Sequence, residues 1–92
     1  MTEAEIRRLR KRLEDLNGKV IPDLEHRTEL LFGQIMPLAK ESDDRQHLER
    51  EYKILYKELR TRCDERIESQ RHLQQLEKQL KDQQNPRRSL LR

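Results

Sequence analysis

Glycine is scarce in this chain, and its scarcity excludes a good deal. Gly18 and Gly33 are the only two among 92 residues. They cannot build a phosphate-cradling loop, and no G-x-x-x-x-G-K-[ST] string occurs. Aromatic residues are equally few: Phe32, Tyr52 and Tyr56, with no tryptophan. Three rings scattered in this way give no platform on which bases could stack. Cys63 stands alone, which rules out an intrachain disulfide framework. No histidine neighbours it in a nucleophile pattern, so a buried, inert thiol is expected. His26, His47 and His72 lie 21 and 25 residues apart, a spacing that fits no zinc site. No apolar run approaches the ~18 residues of a membrane-spanning helix. The first 20 residues are too charged for a signal peptide. These absences predict a protein that is not an enzyme, holds no cofactor or metal, and works inside the cell, in cytoplasm or nucleus.

What is present is charge arranged with a period. Charged side chains make up 42% and apolar ones 32%, against about 25% and 45–50% in ordinary globular domains. Such a chain cannot wrap a thick core by itself. The net charge of +3 belongs to the last eight residues, through Arg87, Arg88 and Arg92. Residues 43–84 hold ten basic and ten acidic side chains. That balance, together with the periodicity, argues for a solvated helix laced with ion pairs rather than for disorder.

Thr2 and Glu5 form a capping box that predicts a helix over about 3–17. Ile6, Leu9, Leu13, Leu16 and Val20 then alternate in steps of three and four, the spacing of a coiled-coil seam. Asn17-Gly18 and Pro22 predict a stop. Asp23 can cap a second helix over about 24–36. Its end is apolar nearly all round, through Leu30, Leu31, Phe32, Ile35 and Met36, so it must be covered from several sides. Pro37 ends it. Ser42 is a good N-cap, and Asp43 and Asp44 suit the first turn of a third helix over about 43–84. Its stripe reads Leu48, Tyr52, Leu55, Leu59, Cys63, Ile67, Leu73, Leu76 and Leu80, with a stutter around Cys63.

A helix of 42 residues spans roughly 63 Å, far beyond a compact globule of this size. The expected fold is therefore all-α: an elongated helical hairpin or coiled coil with a long third helix, oligomeric, in one domain over 1–84. A basic, disordered tail is expected over 85–92. The first two helices could fold back along only part of the third. Its distal seam, Leu73, Leu76 and Leu80, would then need another chain.

The expected function is protein–protein interaction, as an adaptor or scaffold subunit that self-associates or hetero-associates through helices. Leu30, Leu31, Phe32, Ile35 and Met36 would carry the junction, with Tyr52, Leu55 and Leu59 packing beside it. The alternative is a coiled-coil dimer that binds nucleic acid or an anionic surface. It would use Arg7, Arg8, Lys11 and Arg12 at one end and Arg87 and Arg88 at the other. Arg87-Arg88-Ser89 also has the pattern of a site for a basic-directed kinase.

Overall fold

The computed structural model describes residues 2–84. These are all-helical and elongated, with no strand among them, and they form two helices joined by one short loop. The molecule measures 69 × 21 × 16 Å. The first helix comprises α1 (Thr2–Asp15), a π turn (Leu16–Val20) and α2 (Ile21–Ile35). The second is α3 (Asp43–Gln84), over the residues that the sequence predicts. Phe32 meets Tyr52 near the loop, Arg12 meets Glu65 midway, and Arg10 meets Glu77 near the far end. The two helices are therefore antiparallel arms of a hairpin.

The stop expected between residues 17 and 24 does not exist, so there are two helices and not three. The chain passes Asn17-Gly18 and Pro22 by widening one turn. The Ile21 N–H donates to the Leu16 carbonyl, five residues back, where an α-helix would reach back four. In an unbroken α-helix the Pro22 ring would collide with the Gly18 carbonyl and deprive it of its donor. A widened turn is one way a helix accommodates a proline. Here it also joins two registers. Ile6, Leu9, Leu13, Leu16 and Val20 follow one series of threes and fours. Ile21, Leu24, Thr28, Leu31 and Ile35 follow the same series displaced by one residue, and all ten positions are buried or half-buried. The π turn is thus a one-residue insertion that keeps both stripes facing α3.

Continuity also changes the reach of the first arm. Residues 2–35 span roughly 51 Å at ~1.5 Å per residue, enough to lie along most of α3. The expectation that Ile67 to Leu80 lacks a partner within the chain therefore fails. Leu76 is buried, and Leu73 and Leu80 are half-buried, where α1 lies alongside.

The stutter expected around Cys63 is also absent from the covered face of α3. Its shielded positions include 45, 48, 52, 55, 59, 62, 66, 69, 73, 76 and 80, an unbroken alternation of three and four. Arg62, Arg66 and Ser69 occupy the seam where Cys63 and Ile67 were expected. Ile67 is exposed and Cys63 half-buried on a neighbouring stripe.

The loop is held at both ends. α2 stops before Pro37, and the Leu38 N–H turns back to the Ile35 carbonyl. Ser42 caps α3 as its sequence position predicts, its Oγ accepting from the Arg45 N–H at 3.1 Å. The Arg45 side chain reaches back to the Leu38 carbonyl at 2.7 Å and forward to Glu49 at 2.8 Å.

Candidate partner-binding face

The seven-residue spacing of an antiparallel helix pair places side chains along two flanks of its seam. One flank is polar. Arg12 makes a two-pronged contact with Glu65, at 2.6 and 3.0 Å. Arg62 bridges Glu65 at 2.7 Å and Glu58 at 2.9 Å. The guanidinium of Arg12 foremost, and that of Arg62, hold the Glu65 carboxyl down at about 2, against an opposing push from burial. Glu65 in turn raises Arg12. This ladder crosses between the arms where the α3 seam turns polar, one turn before the π turn. Arg66 adds a weaker contact to Asn17 at 3.4 Å.

The other flank is apolar near the loop. Phe32 and Tyr52 lie with ring centroids 6.2 Å apart, and Tyr52 and Tyr56 stack at the same distance, 19° from parallel. Tyr52 belongs to the seam, and the other two rings open onto the surface, with Phe32 52% and Tyr56 51% exposed. Met36, one turn beyond Phe32, is 60% exposed. Cys63 lies seven residues past Tyr56, and Ile67, four further on, extends the line. Beside Phe32 a shallow groove is lined by Thr28, Glu29, Gly33 and Tyr52. Thr28 directs its hydroxyl to the Leu24 carbonyl at 2.6 Å. A Cβ on Gly33 would meet nothing within 4 Å, so no contact within the hairpin requires glycine there.

The residues expected to bind a partner are thus divided. Phe32, Met36 and Tyr52 come together on one flank, where Tyr56, which was not among the expected residues, joins them. Ile35 is buried in the hairpin, and Leu31, Leu55 and Leu59 are half-buried along its seam. Leu30 is exposed, but its position, two residues before Phe32, turns it to the opposite side. Leu73, Leu76 and Leu80 face α1. Sequence reasoning missed Arg62 and Arg66 as seam positions, Glu65 as the group flanking them, and Ile67 as a surface residue. The strict alternation of three and four would have placed Arg62 and Arg66 on the seam and Ile67 off it, had charged residues been admitted to the series; Glu65 lies outside that series.

The basic cluster is divided too. Arg7, Arg8 and Lys11 are exposed. Arg12 is tied to Glu65, and Arg10 stands 3.7 Å from Glu77. Arg7 lines a shallow cleft at the open end with Glu3, Glu77, Leu80 and Lys81, a mixture of signs that makes a poor phosphate track. Arg87 and Arg88 lie outside the described residues. Among the described residues no group of His, Cys, Asp and Glu could hold a metal ion, and no helix is long and apolar enough to cross a membrane.

Comparison with protein-family models, curated proteins and solved structures gave no match.

Proposed function

We propose that this chain is a protein–protein interaction module, an adaptor or scaffold subunit, that receives a helix of another chain on its aromatic flank near the loop. One observation carries the reading: Phe32, Met36, Tyr56 and Ile67 stay exposed on one flank of a hairpin whose seam is already closed. A two-helix seam needs only a narrow apolar stripe, whereas helices that face more than one neighbour carry a third apolar line beside it. Tyr56, Cys63 and Ile67 are such a line on α3. Exposed aromatic side chains of this kind are the usual anchors of protein interfaces. Association is coiled-coil-like in this reading, the incoming helix lying in the trough between α2 and α3.

The test is a photo-reactive phenylalanine analogue placed at Phe32 or Tyr56, with Lys57, on the outer face of α3, as control. In cells, adducts to protein are expected from positions 32 and 56 and not from 57. Equal labelling at all three positions, or none at 32 and 56, rules the reading out.

A further inference from the structure

The charges around the aromatic flank identify the occupant. Glu25 and Glu29 stand seven and three residues before Phe32, on the α2 rim of the flank. Lys53 and Arg60 stand three before and four after Tyr56, on the α3 rim. All four are exposed. None is ion-paired to another described residue, whereas the polar flank is closed by its Arg12–Glu65–Arg62 ladder. The α2 side of the flank carries acidic side chains and the α3 side basic ones, apart from Glu49, which Arg45 holds; Phe32, Tyr56 and Cys63 lie between, with Glu25 on the line of Phe32 and Arg60 on that of Ile67.

Resting on the reading above, we infer that the occupant is a second copy of this chain, docked flank to flank about a two-fold axis along the rod. In that arrangement α2 of each copy lies over α3 of the other, antiparallel to it. The acidic rim of each copy then meets the basic rim of its partner, at matching heights, since Phe32 and Tyr52 stand side by side in each hairpin. A two-fold interface must be self-complementary, and opposite rims on one face satisfy that condition. Phe32, Met36, Tyr56 and Ile67 leave water together, and the groove beside Gly33 admits a side chain of the opposing copy. The product is a four-helix bundle over the loop-proximal half of the rod.

Charge reversal tests the arrangement directly. Glu25→Lys with Glu29→Lys makes both rims basic. Lys53→Glu with Arg60→Glu makes both rims acidic. Each double variant should keep the wild-type helical circular dichroism and lose self-association at least tenfold by sedimentation equilibrium at low salt. An equimolar mixture of the two restores complementary rims, so its dimer should return to within a few-fold of wild type. A wild-type protein that is monomeric at 100 µM (about 0.1 mM, a weak association even for transient contacts) overturns the inference. So do double variants that associate like wild type, or a mixture that does not recover. In each of these cases the proposed function stands separately on the cross-links at Phe32 and Tyr56, which would then be to other proteins.

Discussion

At the residue scale, Glu65 is the carboxyl among the described residues that its neighbours displace furthest. Its carboxyl is held down at about 2 by Arg12 and Arg62, so its charged form is favoured in the fold. A carboxyl lowered in this way contributes stability fully above its ordinary pKa, 4.5, and loses it as pH falls towards the folded value. Glu65→Gln should therefore lower the melting temperature at pH 7. The gap from wild type should narrow below about pH 5 and nearly close by about pH 2, followed by circular dichroism. Because the pair is partly exposed, added salt should shrink the gap. Leu16 is fully buried, and Leu16→Ala should cost about 2–5 kcal/mol in urea unfolding. Gly33 offers the reverse case. Its site is open, so Gly33→Ala should stabilise the isolated hairpin by about 0.5–1 kcal/mol.

At the element scale, the π turn sets the register of the whole first arm. Deleting Lys19 alone removes the inserted residue but forces Pro22 into a regular helix, so stability should fall by about 3 kcal/mol. Adding Pro22→Ala to the deletion should recover most of the loss, read from urea midpoints. A deletion harmless by itself would show that the turn does not serve Pro22. The elements were largely legible in the sequence. Ser42, Asp43 and the absence of glycine and proline after them mark α3, and Pro37 marks the end of α2. The continuity across Gly18 and Pro22 was not legible from breaker residues alone. Burial of Leu16, Ile21 and Leu24 against α3 outweighs a local preference for a turn. The exposed face near the loop was half legible: Phe32, Met36 and Tyr52 were singled out, but Leu73, Leu76 and Leu80 were assigned outward. That error follows from the supposed break, which shortened the first arm and left the end of α3 uncovered.

At the scale of the whole molecule, the thin rod is the consequence of a chain too charged to close around itself. The hairpin has a radius of gyration of 20.7 Å, against about 12–13 Å for a compact domain of similar length. The proposed flank-to-flank pairing would thicken the rod without lengthening it. Small-angle scattering of the dimer should therefore give a maximum dimension close to the 69 Å of one hairpin. A value approaching twice that would mean pairing end to end.

The antiparallel course of the arms also gives the rod two unlike poles. Thr2 and Gln84 close the same pole, beside the cleft of Glu3 and Leu80, while the loop and its aromatic side chains stand at the other. The molecule is shaped like a tool with a handle and a tip. A fluorophore or affinity tag joined at either described terminus sits on the handle, roughly 50 Å or more from the tip by helical rise. Such labels would leave the tip unobstructed, and a donor and acceptor on two handles would report directly which way two rods point.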